Sequence, residues 1–174
     1  NKCKYLLTKW QESLNLSNYE IEKFEPALKK IDFQLNKIET KNIQISVFGR
    51  VGVGKSSLLN ALIKKQLFST GLENGHTKQI KIYEWEKSFH NLNKVQLIDT
   101  PGIDEVNDEN KEELTFENSL DSDLILFVID SDISRIELKA LEKLLNNNKP
   151  ILLILNRCDQ WNKEEAKALL SNIQ

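Results

Sequence analysis

The strongest constraint on the fold of this chain is a run of eight residues that matches the pattern G-x-x-x-x-G-K-[ST]. The run is Gly49-Arg50-Val51-Gly52-Val53-Gly54-Lys55-Ser56. The apolar residues 43–48 before it predict a short buried strand, and residues 57–63 after it predict the first turns of a helix. A strand that turns sharply into a helix directs backbone N–H groups and the positive end of the helix dipole at one point, which is typical of a phosphate-binding loop.

The residues of this loop bring different chemistry to a bound phosphate. Its glycines let the backbone approach the phosphate groups closely. Lys55 supplies a positive charge for the β- and γ-phosphates, and the Ser56 hydroxyl is placed to coordinate Mg²⁺. We include Ser57, the next residue, in the nucleotide-binding set. The alternative is a glycine-rich turn before an ordinary helix, but it leaves the order of strand, motif and helix unexplained.

Length, charge and cysteine content limit the class of protein. The 174 residues suffice for one domain with a small appendage, and the net charge is -2. That balance gives no strong signal for nucleic-acid binding, which favours a basic field. Cys3 and Cys158 form no disulfide framework, so we expect a reducing, cytoplasmic compartment. Because the chain starts at Asn1 and contains no methionine, we expect it to be a piece of a longer protein.

Residues 1–41 predict a helical appendage that precedes the nucleotide-binding pattern. Apolar side chains recur at helical spacing in both halves of this segment. Ser17 and Glu20 have the spacing of a capping box that begins a second helical segment, and Pro26 is expected to break or restart that helix. Two alternatives remain open. The helices either pack on the following domain or form a neck that pairs with another helix or a second subunit.

Residues 42–174 alternate between strand and helix patterns and predict the nucleotide-binding domain. Residues 79–85 and 94–99 predict an antiparallel hairpin, while the apolar runs 124–130 and 151–155 predict buried parallel strands. Helical spacing is present over residues 111–120, 134–146 and 163–173. The order predicts an α/β fold, a three-layer sandwich with a mostly parallel sheet and one antiparallel hairpin strand.

Two tetrapeptides follow predicted strands and carry further candidate residues. In Asp99-Thr100-Pro101-Gly102, the carboxylate can reach Mg²⁺ through a water and the glycine N–H can meet a γ-phosphate, although a plain strand-ending turn is the alternative. In Asn156-Arg157-Cys158-Asp159, the last carboxylate can accept hydrogen bonds from guanine N1–H and N2–H₂, a pair of donors that adenine lacks. The alternative there is a helix N-cap at Asp159.

Together these motifs resemble those of the translation-factor-like GTPases, most closely the Era and EngA (TrmE–Era–EngA) branch. The resemblance covers residues 43–170 and implies a P-loop NTPase fold, GTP and GDP as ligands, Mg²⁺ as cofactor and hydrolysis of GTP. It further implies that Thr77 is the first switch threonine, a metal ligand when γ-phosphate is present, although from the residues alone it is a loop residue. The implied catalytic residues are Lys55, Thr77 and Gly102; the implied metal ligands are Ser56, Thr77 and Asp99.

Several departures from the family pattern bear on hydrolysis. Ile103 stands where Ras-like members carry the glutamine that positions water, and Gly52 stands where potassium-activated members such as TrmE carry asparagine. Val51 is bulky beside the γ-phosphate position and would hinder an arginine finger. Arg157 replaces the usual lysine, and its planar guanidinium can lie over the base. We therefore expect slow hydrolysis by the isolated domain, with acceleration by a partner or by a second copy that forms a homodimer across the nucleotide face.

The family's last guanine-contacting loop does not occur before Gln174, so we expect the last strand, helix and guanine loop to be missing. The helical leader also resembles that of bacterial dynamin-like proteins. A self-assembling GTPase, peripheral at a membrane through a missing C-terminal region, is therefore an alternative to a molecular switch. A nucleotide-binding module with negligible turnover and an ATP-using P-loop enzyme are further alternatives.

The first testable prediction concerns the choice of base. GDP should bind far more tightly than ADP, and Asp159→Asn should shift the preference toward xanthine nucleotides, whose ring presents the complementary hydrogen-bond pattern. Calorimetric titration of both proteins with GDP, ADP and XDP measures the ratios. Equal affinity of the wild-type protein for GDP and ADP would contradict the assignment of a guanine site.

Overall fold

The computed structural model describes residues 2–68, 80–87, 89–104, 116, 120–162, 164–165, 167–168 and 171. The chain divides into two compact units. The first comprises Asn1–Asn42 with Ser88–Lys94, and the second comprises Ile43–Lys87 with Val95–Gln174. Each unit is built from the secondary structure that its sequence pattern favours.

The first unit contains two helices, α1 (Lys2–Ser13) and α2 (Asn18–Thr40). The predicted capping box is confirmed, because the Ser17 side chain accepts from the Glu20 N–H while the Glu20 carboxylate accepts from the Ser17 N–H at 2.9 Å. The Gln11 side-chain amide donates to Asp32 at 2.9 Å and links the two helices. Lys41 caps the C-terminus of α2, because its left-handed backbone lets its N–H reach carbonyls of the last turn.

The prediction that Pro26 interrupts the second helix is wrong, because α2 continues through it. A proline inside a helix removes one backbone hydrogen bond and crowds the preceding turn. Here the apolar stripe of α2 continues from Phe24 on one side of the proline to Leu28 on the other, and both line a groove that Trp10 of α1 also lines. A break at Pro26 would move one half of this stripe away from α1, so the helix–helix contact favours an uninterrupted α2.

The second unit is built on a five-stranded sheet. Its strands are β1 (Asn42–Phe48), β2 (Lys81–Glu84), β3 (Lys94–Asp99), β4 (Leu124–Ile129) and β5 (Ile151–Leu155). Their order is β2-β3-β1-β4-β5. Strand β4 pairs in parallel with β1 and β5, whereas β2 and β3 pair antiparallel. The predicted mostly parallel sheet with one antiparallel hairpin strand is therefore confirmed.

Helices α3 (Lys55–Ile63) and α4 (Arg135–Asn146) pack on opposite faces of this sheet. Neighbouring strand residues separate accordingly: Val47 packs in one cluster with Leu59 of α3, and Phe48 packs in the other with Leu144 of α4. This alternation is what a strand covered on both faces requires. The predicted three layers follow directly from it.

Some predicted elements cannot be compared in full. The helix predicted over residues 111–120 lies almost entirely outside the described residues, and the helix predicted over 163–173 is described only in part. A short 3₁₀ turn, Cys158–Gln160, follows β5. Within the described residues, none of the helices combines the length and the apolar character needed to cross a membrane.

Candidate functional site

The glycine-rich loop joins the end of β1 to the start of α3, and its carbonyl groups accept hydrogen bonds from its own lysine. Lys55 is the first residue of α3, only 7% exposed, and its ammonium donates to the carbonyls of Gly49 and Arg50 at 2.9 and 2.7 Å. Gly54 precedes the helix with φ +94°, and a Cβ there would lie 2.3 Å from Asn156 Nδ2. Only glycine combines this backbone with so close an approach.

A buried carboxylate from β3 meets the first turn of α3. The Ser56 hydroxyl donates to Asp99 Oδ2 at 2.7 Å, and Asp99 is only 1% exposed. The other oxygen, Oδ1, is buried without a hydrogen-bond partner among the described residues. Burial raises the pKa of Asp99, against the opposing effects of the Ser56 hydrogen bond and the nearby Lys55 charge.

The donor set at this point fits a magnesium ion. Mg²⁺ binds proteins through one or two oxygen ligands, keeps several waters and takes further oxygens from substrate phosphates. A serine hydroxyl and a buried carboxylate with an unpaired oxygen supply ligands of this kind. The described residues contain no cluster of three or more His, Cys, Asp or Glu side chains, as a metal cage made of protein alone would need. The expected third ligand, Thr77, lies outside the described residues, as does the neighbouring His76.

The residues after β3 lie directly against the glycine-rich loop. A Cβ on Gly102 would lie 2.7 Å from the Val51 nitrogen, so glycine is required by close approach. The Val51 N–H donates to the Asp104 carboxylate at 2.7 Å, and the Ile103 N–H donates to the Gly49 carbonyl at 3.3 Å. Ile103 itself is 8% exposed and packs in the core cluster of α4. Its side chain therefore serves packing.

The tetrapeptide after β5 also contacts the loop. Asn156 donates from its side-chain amide to the Val53 carbonyl at 2.8 Å. Arg157 donates to the Gly52 carbonyl and, at 3.0 Å, to Asp130. Asp159 is exposed within the 3₁₀ turn. The cap of the following helical segment is Asn162, whose side-chain oxygen accepts from two backbone N–H groups, so the N-cap alternative for Asp159 is wrong.

The first side chain of the loop, Arg50, points into a group of ion pairs. Its Nε lies 3.0 Å from Glu137 Oε1 and one terminal nitrogen lies 3.5 Å from Asp130. The N–H direction at Nε is too poor for a hydrogen bond, so the contact with Glu137 is an ion pair. Glu137 raises the pKa of Arg50, and Asp130 and Asp104 add to this effect. Arg50 contacts the Lys55 ammonium through its backbone carbonyl and not through its side chain.

Sequence reasoning missed four residues of this site. Thr100 donates from its hydroxyl to the Val47 carbonyl at 2.6 Å and ties the end of β3 to β1. Asp130 directly follows β4, and a position at the carboxyl end of a parallel strand was a signal that could have identified it. Asp104 and Glu137 give no comparable signal, because an acidic run and a helix first turn are ordinary places for carboxylates.

The predicted residues therefore converge, as far as the structure describes them. The contacts above bring Lys55, Ser56, Asp99, Gly102, Asn156 and Arg157 to the glycine-rich loop. Val53 is a buried residue of that loop, and Ser57 is exposed on α3. Asp159 lies two residues beyond Arg157 with its carboxylate in solvent.

A family model described as 50S ribosome-binding GTPase matches residues 44–157. The chain belongs to this GTPase family. Among its relatives, the Fe(2+) transporter FeoB of Helicobacter pylori is 35% identical over 131 residues, which is 73% of this chain and 20% of FeoB. The tRNA modification GTPase MnmE of Mycoplasma mycoides is 29% identical over 188 residues, 97% of this chain and 41% of MnmE. The chain thus spans between a fifth and about two fifths of these relatives.

Two crystal structures of Era share the fold of this GTPase. Each has a TM-score of 0.63 and covers 76% of this chain and 46% of Era. Era of Aquifex aeolicus, bound to GDP·AlF4⁻, is 24% identical, and Era in complex with MgGDPNP and a segment of 16S ribosomal RNA is 25% identical. The inferred resemblance to the TrmE–Era–EngA branch and the P-loop fold are confirmed.

The raised pKa of Asp99 leads to a prediction about stability. The folded protein holds this proton more tightly than the unfolded chain, so the stability from protonation is complete below an ordinary aspartate pKa of about 3.9 and is lost as the pH rises through the folded value. Asp99→Asn stays neutral. In chelator at pH 7 the variant should therefore be more stable, by on the order of 1 kcal/mol, because its neutral amide avoids the desolvation cost of the buried carboxylate charge.

Thermal unfolding from pH 4 to pH 8 measures this effect. The advantage of Asp99→Asn should shrink as the pH falls toward 4. The matched control is Asp159→Asn, because this carboxylate is exposed and its neutralisation should leave the midpoint unchanged. A midpoint for Asp99→Asn at or below that of the wild-type protein at pH 7 would contradict the interpretation.

Proposed function

We propose that this chain binds GTP with Mg²⁺, hydrolyses it slowly to GDP and acts as a molecular switch. The observation that carries the proposal is that one loop is in contact with both of the other motifs. Asn156 and Arg157 donate to carbonyls of the loop, and Ser56 at its end donates to Asp99. A ligand on the loop would therefore touch the base-recognition motif and the metal ligands at once. GTPase family membership supports the same reading.

The phosphates are expected to lie on the N–H groups of the loop at the start of α3. The N-terminus of a helix offers unpaired N–H groups and a partial positive charge. Lys55 is held at this point by two carbonyl oxygens of the same loop, so its ammonium would lie close to a bound phosphate. The lysine would thus be oriented before the nucleotide arrives, which lowers the entropy lost on binding.

Ser56, Asp99 and Thr77 are the proposed metal ligands. The hydroxyl of Ser56 would coordinate Mg²⁺ directly, and Asp99 would hold one of its waters. A nearby cation would offset the cost of the buried Asp99 charge, because an opposite charge favours the ionised carboxylate. The Era structure with MgGDPNP supports magnesium as the ion. When bound, the ion neutralises charge that develops on the phosphates.

Asp159 is the proposed reader of guanine. Its carboxylate is exposed on the 3₁₀ turn after β5, and the cap of the next helical segment is made by Asn162 instead. Two guanine donors can therefore reach both of its oxygens. Arg157 precedes this turn and donates to the Gly52 carbonyl of the loop, and its planar guanidinium would pack against the base.

The residues that follow β3 are the proposed sensor of the γ-phosphate. Gly102 lies against Val51, and the Asp104 carboxylate accepts from the Val51 N–H. A γ-phosphate beside Val51 would repel this carboxylate, because both are anions. The contact of Asp104 with Val51 would then break while Gly102 and Thr77 meet the phosphate, and it would form again after hydrolysis.

A second candidate function is a self-assembling GTPase, and one observation favours it. Large apolar side chains are exposed along α1 and α2, among them Tyr5, Leu6, Trp10, Tyr19 and Phe24. Exposed apolar surface of this kind marks an interaction site when it is contiguous. Under this candidate, nucleotide binding would change the oligomeric state. The net charge of -2 gives no support for an RNA partner such as the one in the Era complex.

Replacing the loop lysine tests the binding site. Lys55→Ala should weaken GDP and GTP binding about tenfold to a hundredfold, the value of a charge-assisted contact of about 1.5–3 kcal/mol. The matched control is Lys139→Ala on α4, an exposed lysine that should bind nucleotide like the wild-type protein. Titration with a fluorescent GDP in the presence of Mg²⁺ measures both. Equal affinity of Lys55→Ala and Lys139→Ala would show that the site lies elsewhere.

The hydrolysis rate is the next prediction. Ile103 packs in the core and can neither donate to nor accept from an attacking water, so the dilute chain should hydrolyse GTP at about 10⁻⁴ to 10⁻² per second, the range of intrinsic GTPase rates. Single-turnover assays in sodium and in potassium, at low and high protein concentration, measure it. A rate that rises with concentration would favour action of a second copy. Fast turnover of the dilute chain would mean that another residue positions the water.

A further inference from the structure

Both carboxylate oxygens of Asp130 are engaged, each by a different arginine. Oδ2 accepts from Arg157 at 3.0 Å, and Oδ1 lies 3.5 Å from Arg50. Asp130 directly follows β4, and its side chain is 18% exposed. The Asp130 carboxylate therefore lies between Arg50 of the phosphate-binding loop and Arg157 of the tetrapeptide that follows β5.

Of the two contacts that Asp130 makes with arginines, the one with Arg157 is the shorter. One terminal nitrogen of its guanidinium donates to Asp130 while the other donates to the Gly52 carbonyl. The planar fork of arginine can make both bonds in one orientation, whereas a lysine ammonium is a single point. The arginine backbone is also in the left-handed region, with φ 57°, which turns the chain sharply at the end of β5. The side chain, 44% exposed, is thus oriented by two partners.

The Arg50 side of the arrangement is anchored in the protein interior. Arg50 pairs with Glu137, whose side chain is completely buried. Glu137 is in turn held by the capping box of α4, where its carboxylate accepts from the Ser134 N–H at 2.8 Å and from the Ser134 hydroxyl at 2.7 Å. Because Glu137 fixes the orientation of Arg50, Asp130 has a fixed cation beside Oδ1, and its other oxygen, Oδ2, faces Arg157.

We propose that Asp130 is a positioning residue for guanine-nucleotide binding, which holds the Arg157 guanidinium against the phosphate-binding loop. The inference rests on the proposed function, since Arg157 acts on the nucleotide there. Asp130 itself does not touch the ligand. It restricts Arg157 to the orientation in which the guanidinium plane can cover the base, so that less side-chain entropy is lost on binding.

Charge gives the same arrangement a second consequence. Arg50, Arg157, Asp130 and Glu137 balance in pairs. Neutralising Asp130 would leave two guanidinium groups with only one carboxylate, that of Glu137, which contacts Arg50, and the exposed Arg157 would turn toward solvent. A partly exposed ion pair is also screened by salt, so its contribution should fall as ionic strength rises.

A double-mutant cycle on GDP binding tests the proposal. Asp130→Asn should raise the GDP dissociation constant about threefold to tenfold in wild-type protein but by at most about twofold in an Arg157→Ala background, because the residue it positions is then gone. Asp130→Glu keeps the charge and should recover most of the affinity. The threefold to tenfold difference should shrink at about 1 M NaCl. Titration with fluorescent GDP measures the four proteins of the cycle and Asp130→Glu.

Controls separate the outcomes. Glu142→Gln removes an exposed carboxylate from α4 and should leave GDP affinity unchanged. An equal loss from Asp130→Asn with and without Arg157, or a loss that Asp130→Glu does not recover, would overturn the proposal and leave Asp130 a structural residue. If the wild-type chain itself shows no preference for GDP over ADP, the proposed function fails before the cycle is measured.

Discussion

The contact between Ser56 and Asp99 is the constraint on which the site depends. It joins the first turn of α3 to the end of β3, and thereby sets the phosphate-binding loop at the edge of the sheet. The carboxylate is buried, one of its oxygens has no hydrogen-bond partner in the part of the chain that the structure describes, and its pKa is raised. Such a group opposes folding at neutral pH unless a further cation binds beside it. A local cost in stability of this kind is typical of functional sites.

Around this contact, short side-chain links connect the loop to every strand end near it. Thr100 ties β3 to β1, Asn156 ties the end of β5 to the loop, and Asp130 brings in β4. These links come from residues far apart in sequence, and each is placed by the parallel strands, whose carboxyl ends meet at one edge. The sheet therefore brings motifs that are separate in the sequence together in one site.

The parts of the fold that could be predicted are those with a local cause. A glycine-rich loop before Lys55, an apolar run at residues 124–130 and a capping box at Ser17 each act through neighbours in sequence. Pro26 was predicted wrongly because its local cost is opposed by contacts with α1. The absence of a polar group at Ile103 was evident from the sequence. Its burial in the core became apparent only from the packing of α4.

The sequence by itself determined the phosphate-binding loop, the order of strands and helices along the chain, and the family, because these depend on residue type at fixed spacing. Only the tertiary structure decided which side chains meet. The pairing of Asp130 with Arg157, the ion pair of Arg50 with Glu137 and the contact of Asp104 with Val51 all join residues whose separation is set by strand order. The physical reason is that side chains pair only when they are close in space, and residues distant in sequence become close only once the sheet has formed.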